Sequence, residues 1–479
     1  MISMPTNFEE AIVVIQQLLE RIADLEKRLA AAEMRAASAE ARAEKAEARV
    51  AELEKLLGKR PPPDPSTPSG MIAPYIKPNR KDGTKKKKPG RKKGHKGARR
   101  SKPEHVDHQE YHALSCCPDC GSTDIKLIEA VTRYTEDIPK VQPIVTEHTM
   151  ERGRCRVCGK TATAKVEDAF PGCTLGLRTI LMTAWMHFAL GVSVHKVVKW
   201  LNAMCQMQVS AGGLTQAWMR AAKWMKPLHD EIYRDIRNSG VLNADETGWR
   251  VMGKTAWMWC FAARDTVLYV IDATRASPVV LKVLGEAFSG VLVTDFYAAY
   301  NQVIAWAKQR CVVHLLRELA KVSLTNSNHE WTSFARKVKH LMRDALRLGR
   351  EREKFVDEVY ERRWKRLHDR LFEIYSAHYE DADASRLASR LEKYREELFT
   401  FLEFDGVSAD NNYGEREIRP AVLMRKAYGG NRSECGAETQ ALWMSVLRTL
   451  EKRGVEPVDY LEKYLRRRIV SNESMSLAA

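Results

Sequence analysis

Long apolar runs are missing from this 479-residue chain. The longest, Thr179 to Val194, is broken by His187 and falls short of the roughly 20 residues that a membrane span requires. The opening MISMPTNFEE has no basic stretch followed by an apolar one, so no secretory signal is expected and the protein is read as cytoplasmic. Cysteine is sparse, with ten residues. In a reducing compartment these do not form a disulfide framework, and metal ligation is the reading for any that cluster. Proline is absent from Val279 to Arg419, and between Leu324 and Asp405 glycine occurs only at Gly349. With no helix breaker and many charges, residues 324–405 read as an all-α insertion.

What the chain does have is unevenly placed. The length exceeds one ordinary core and 44% of residues are apolar, so several domains are expected. A 3-4 alternation of apolar residues runs from Ile15, Leu18, Ile22 and Leu25 through an alanine-rich middle to Leu53 and Leu57. Flanked by Glu, Lys and Arg, it predicts a coiled coil over 8–58 that joins protomers into a homodimer or larger homo-oligomer. Pro61, Pro62, Pro63 and Pro65 end it. Residues 61–104 are rich in Pro, Gly, Ser and Lys and bury too little to order themselves. From Arg80 to Arg100 there are twelve Lys and Arg against one acid, Asp82, so this segment holds most of the net charge of +16. Lys87, Lys88, Arg91, Lys92, Lys93, Lys96, Arg99 and Arg100, interleaved with glycine, suit a flexible arm that follows DNA phosphates or enters a minor groove.

Residues 105–170 read as a zinc-binding module. Cys117 and Cys120 lie in CPDCGS, and Cys155 and Cys158 lie in CRVCGK. Two-residue spacing lets both sulfurs of a turn reach one ion, and two such knuckles supply four tetrahedral ligands for structural Zn²⁺. The segment between them reads as short strands of a zinc ribbon. Cys116 could replace Cys117, although CPxCG favours Cys117. A closed four-thiolate site has no open position, so this metal is structural.

Residues 171–239 are helical in pattern. SVHKVVKWLNAMC and GGLTQAWMRAAKWM, joined by a turn with Ser210 and Gly212, are compatible with a helix-turn-helix. Trp185, Trp200, Trp218 and Trp224 read as core. Strands follow at 241–253, 256–263 and 266–273, then a helix from about Ser277 to Ala287 and a strand at 290–294 ending on Asp295. A helix from Ala298 to Lys308 and a short strand RCVV at 310–313 complete the first part of the core, 240–323. Three antiparallel strands, then helix, strand, helix and strand, is the order of an RNase H-like core. There the first and fourth strands are neighbours, which sets Asp245 beside Asp295. Two adjacent carboxylates repel unless a divalent cation lies between them, and oxygen-only ligands suit Mg²⁺ or Mn²⁺. After the insertion, 406–466 resumes with a helix carrying Glu415, which shares a face with Asn411 and Arg419. This is the set a metal-dependent nuclease or strand-transferase requires. Structural ion pairs are the alternative.

At these residues the chain resembles the IS66 family of bacterial insertion-sequence transposases. The resemblance rests on ADETGWRV, TDFYAAY, CVVHLLREL, DNNYGEREIRP and the closing GAETQALWMSVLRTLEKRGVEPVDYL, with the coiled coil, basic arm and knuckles in the same order. It implies a multidomain α+β protein that binds transposon-end and target DNA, recognises terminal inverted repeats and works beside the bacterial nucleoid, with accessory proteins of the same element as candidate partners. It implies that Asp245, Asp295 and Glu415 form a DDE triad for cleavage and strand transfer. Cys311-x2-His314 resembles a signature in which the histidine supports the active-site region. Glu246 and Glu417 are second choices, since each points away from its catalytic neighbour. EREIRP stands where the family usually has ERALRP. A transposase-derived, zinc-containing DNA-binding protein without catalysis is the alternative.

Protein purified without chelator should contain one zinc per chain by metal analysis. Cys155→Ser should lower that content, and zinc-free wild type would overturn the assignment.

Overall fold

A computed structural model of the protein describes residues 101–471. The coiled coil expected over 8–58 and the basic arm from Lys87 to Arg100 lie outside the described residues. Among those described, no helix is long and apolar enough to cross a membrane.

No helix or strand forms from Ser101 to Glu151. The strands expected between the knuckles are absent there. A short antiparallel pair, β1 (Arg152–Arg154) with β2 (Thr161–Thr163), instead brackets the second knuckle. The turn of that knuckle brings the chain back on itself, so pairing is local, whereas pairing across the 34 intervening residues would first have to offset a longer loop closure.

Four helices follow: α1 (Leu177–Phe188), α2 (Val194–Met204), α3 (Ala211–Trp224) and α4 (Lys226–Arg237). Ser210 caps α3 by accepting from the Gly213 amide at 3.0 Å. The apolar face of α3, with Leu214, Ala217, Trp218 and Ala221, is buried. Trp218 donates from Nε1 to Thr183 and stacks on His187, so it is a core residue.

The chain then forms β3 (Val241–Val251), β4 (Lys254–Ala262), β5 (Val267–Asp272), α5 (Ser277–Leu284), β6 (Ala287–Thr294) and β7 (Ile304–Arg310). The sheet order is β5-β4-β3-β6-β7. The β5, β4 and β3 strands are antiparallel, β6 runs parallel to β3, and β7 runs parallel to β6. One expectation fails here. Only a short 3-10 turn, Ala298–Asn301, stands where a helix to Lys308 was read, and the last strand is 304–310 rather than 310–313. Ile304 and Trp306 alternate outward on this edge strand, a period-2 pattern that a helical reading overlooks. Cys311 instead caps the next helix.

That helix is α6 (Val312–Val322), followed by α7 (His329–Arg350), α8 (Asp357–Ser376) and α9 (Ala382–Lys393). Trp331, Phe334, Leu341, Leu367, Leu371, Leu387 and Phe399 join Val312, Leu315 and Leu319 of α6 in a core separate from that of α1 to α5 and the sheet. The chain returns through α10 (Asn412–Tyr428), α11 (Glu434–Lys452) and α12 (Pro457–Val470). Edge strand β5 is covered by α11. Ser445 and Thr449, one turn apart, accept from the Tyr269 and Val267 amides at 2.8 and 3.1 Å, which satisfies backbone groups that an open edge would expose.

β6 reaches β3 closely because Gly290 has no side chain. A Cβ there would stand 2.2 Å from the Ser239 carbonyl oxygen and 2.8 Å from that of Gly240. Gly290→Ala should destabilise the protein by about 1–3 kcal/mol through forced backbone movement. Urea denaturation with an unchanged midpoint would contradict this packing.

Candidate active site

Asp245 lies inside β3 and Asp295 directly follows β6. The parallel register pairs Leu242 with Leu292 and Asn243 with Val293. Continued by two residues, it sets Asp245 level with Asp295 on neighbouring strands. Burial holds the Asp245 carboxyl well above the usual carboxylate range, and the charges of Glu246, Asp295 and Glu415 push it the same way, against one hydrogen bond from the Glu246 amide. No cationic side chain pairs with Asp245 among the described residues.

Asp295 is held from both sides. Its Oδ1 accepts from the Tyr297 amide at 2.8 Å, and its carbonyl accepts from Arg310 Nη1 at 2.9 Å. Arg310, fully buried at the end of β7, also donates to Thr294, Asn301 and Glu397, tying the turn after Asp295 to the end of the helical insertion.

Glu415 occupies the first turn of α10, whose start is fastened to β3. Buried Asn411 donates to the Ala244 carbonyl at 2.8 Å, accepts from Asn243 at 2.8 Å, and gives its amide to Cys311 Sγ at 3.2 Å. Gly414 leaves room for this arrangement, since a Cβ there would sit 2.8 Å from Asn411 Oδ1. His314 Nδ1 stands 3.7 Å from Glu415 Oε1, and Arg317 donates to the same oxygen at 3.2 Å. Cys311 and His314 thus meet the helix that carries Glu415, one at its cap and one at its acid.

The neighbouring acids are engaged elsewhere. Glu246 is buried, with Arg275 donating from Nε and Nη2 at 3.0 and 2.7 Å and Tyr300 donating at 2.5 Å. Burial and the charge of Asp295 raise its pKa, and Arg275 partly offsets them. Glu417 pairs with Arg448 and Lys452 at 2.6 Å each; burial pushes its pKa up, and these donors more than reverse it. Sequence reasoning missed Arg310, Arg275 and Arg317. Arg317 was accessible, being three residues after His314 and so on the same face of α6.

At the knuckles, the backbone amides of Cys120 and Asp119 hold the Cys117 thiol below its ordinary pKa, and those of Cys158 and Val157 do the same for Cys155. Gly121 and Gly159 both turn with positive φ, and their amides close on the Cys117 and Cys155 carbonyls at 2.8 and 2.9 Å. Two matching turns that support thiolates fit a zinc ligand set, and they close on Cys117 rather than Cys116. Among the described residues, no three His, Cys, Asp or Glu side chains are gathered to ligate one ion. The four cysteines therefore stand as two pairs, and Glu415 stands turned toward Arg317 and His314. Cys435 is exposed in the first turn of α11, while Cys205 and Cys260 are buried.

A zinc-finger domain followed by a mixed helix-and-sheet domain is the arrangement of a transposase. The chain belongs to the transposase IS66 family: the family profile matches residues 173–439, and the zinc-finger binding domain of transposase IS66 matches 115–159. It is similar to two proteins of Sinorhizobium fredii (strain NBRC 101917 / NGR234). Identity to uncharacterized protein y4qI is 28% over 284 residues, 51% of this chain and 52% of that one. Identity to uncharacterized protein y4jD is 24% over 419 residues, 76% of each chain. The match to y4qI thus spans about half that relative's length.

The raised Asp245 pKa has a testable sign. Ionising Asp245 is harder in the folded than in the unfolded chain, so its contribution to stability is fully present below the ordinary carboxylate range and is lost as pH rises through the folded value. Without divalent cations, Asp245→Asn should melt higher than wild type at pH 8, by roughly 2–4 °C per kcal/mol of penalty removed, with the gap closing toward pH 4. A pH-independent difference would show that the Asp245 carboxyl is not raised in the folded protein.

Proposed function

We propose that this protein is a DDE transposase with an RNase H-like core, in which Asp245, Asp295 and Glu415 carry metal-dependent cleavage and strand transfer of DNA. The observation that carries the reading is the parallel register of β3 and β6, which, continued two residues past Asn243 and Val293, sets Asp245 level with Asp295, together with the Asp245 carboxyl raised by burial and by the surrounding acids. The β5-β4-β3-β6-β7 order and the return of the chain through α10 after a helical insertion support the RNase H-like assignment.

Oxygen ligands that repel one another and lack a protein cation suit Mg²⁺ or Mn²⁺. When bound, such an ion supplies activation of an attacking oxygen and stabilisation of a leaving one. Asp245 and Asp295 would hold it, with Glu415 completing the set once freed from Arg317. Asn411 and Arg310 fix the backbones that present Glu415 and Asp295. His314 keeps the Glu415 carboxylate near its working position. Cys117, Cys120, Cys155 and Cys158 would bind a structural zinc, giving the module at 105–170 its fold. The coiled coil over 8–58 would bring two protomers and two transposon ends together, while the basic arm, zinc module and helices of 171–239 bind terminal inverted repeats. The engagement of Glu415 by Arg317 is the one feature that favours a non-catalytic DNA-binding protein instead.

Incubation with a labelled transposon-end duplex and Mg²⁺, followed by mapping of nicks, separates the two. Asp245→Asn, Asp295→Asn and Glu415→Gln should lose at least about 100-fold in nicking rate while still binding ends, since a charge-stabilising group is removed. Glu417→Gln should nick near the wild-type rate while melting lower, because its partners are Arg448 and Lys452. Wild-type nicking by Asp295→Asn would end the three-carboxylate mechanism. End binding by wild type without nicking in any divalent cation would establish the non-catalytic reading.

A further inference from the structure

The helical insertion has a feature the proposed reaction does not use. Residues 324–405 carry equal numbers of basic and acidic side chains, but they are segregated along the chain. Residues 336–370 hold thirteen Lys and Arg against seven Asp and Glu, whereas 373–405 hold four against nine. In the acidic half several charges are used internally. Asp381 accepts from Asn326 and from the Ala384 amide, Glu397 pairs with Arg310, and Asp383 pairs with Arg386.

The basic half is arranged differently. On α7, Trp331, Phe334, Ala335, Val338, Leu341, Met342, Ala345 and Leu348 face the insertion core. Arg336, His340, Arg343, Arg347 and Arg350 recur at 3-4 spacing and are all exposed. At 1.5 Å per residue they form a stripe about 21 Å long. Beside it, α7 and α8 frame an open groove of about 170 Å³ whose lining includes Arg347, Arg363, Arg366 and Arg370. Two acids line it too, Asp344 and Glu351. Asp344 pairs with Arg370 at 2.8 Å and with Arg347 at 3.9 Å, and Glu351 pairs with Lys354 at 3.3 Å. Arg363 lies over the Phe355 ring. Arg336, Arg343 and Arg366 have no carboxylate partner among the described residues.

We propose that this stripe and groove bind the phosphate backbone of target DNA. A line of guanidinium groups about 21 Å long lies alongside roughly six phosphates of one strand, which rise about 3.4 Å each along the duplex axis. Guanidinium matches phosphate geometry, and phosphate contacts position a duplex without carrying its sequence. The exposed stripe has no Asn or Gln to read adenine edges, which suits a duplex accepted whatever its sequence. The insertion core includes Val312, Leu315 and Leu319 of α6, the helix whose His314 and Arg317 touch Glu415. A duplex held on α7 is therefore held at a set position relative to the candidate carboxylates.

This inference rests on DNA binding by the family and not on cleavage, so a protein that never nicks DNA would leave its test readable. The full chain would be titrated by fluorescence anisotropy with a random-sequence duplex and, separately, a transposon-end duplex across a salt series. The variant Arg336→Gln, Arg343→Gln, Arg366→Gln removes three cations without orphaning an acid. A control, Lys282→Gln, Lys463→Gln, Arg467→Gln, removes the same charge elsewhere on the described surface. For the stripe variant, random-duplex affinity should fall at least about tenfold and the slope of log K against log[salt] should flatten by about 2.7, with end binding and thermal melting retained. Random-duplex binding equal to that of the control variant overturns the proposal. An equal loss on both duplexes overturns the assignment to target DNA and makes the stripe an end contact.

Discussion

The parallel pairing of β3 with β6 is the constraint on which the rest of the site depends. Gly290 lets the strands approach, and their register, continued two residues past Asn243 and Val293, sets Asp245 level with Asp295. Holding two partly buried acids side by side is unfavourable by itself, and the raised Asp245 carboxyl records that cost. The surrounding structure resists it with fixed backbone geometry: Arg310 holds the turn after Asp295, and Asn411 holds the start of α10 against Ala244. Sheet, insertion and final helices thus converge on one short stretch of β3 and β6.

Charge placement separates the acids by role. Glu246 and Glu417 are as buried as ordinary core residues, and each has a dedicated basic partner in Arg275 or Arg448. Asp245 is half-buried with no such partner among the described residues, and Asp295 is held through the Tyr297 amide at its carboxylate and through its own carbonyl. Buried acids with basic partners are structural, since removing one partner leaves an uncompensated charge, whereas acids held together without partners are candidates for a functional site. The insertion shows a related contrast: Asp383 and Glu397 are paired, whereas Arg336 and Arg343 of α7 are exposed with no carboxylate partner among the described residues.

Much of this was legible along the chain. The two CxxC pairs, the strand leading into Asp295, the unbroken helical insertion and the helix bearing Glu415 all rest on local spacing, which a single segment carries within itself. The turns at Cys117 and Cys155 form with the hydrogen bonds that such knuckles require. Less visible was β7: IAWAKQR has no strong strand signature until its edge position explains why Ile304 and Trp306 face outward.

What the sequence determined by itself was the family, the order of the elements and the kinds of residue offered to the site, because those depend on composition and on periods of two and 3.6. Only the tertiary structure decided the partners. That Arg310 would clamp Asp295, that Arg275 and Tyr300 would occupy Glu246, that Asn411 would bridge Ala244 and Cys311, and that α11 would close the β5 edge all join residues distant along the chain. Such contacts follow from strand register and helix packing, which no local pattern encodes, since each hydrogen bond forms only after the whole sheet has set the distance between its donor and acceptor.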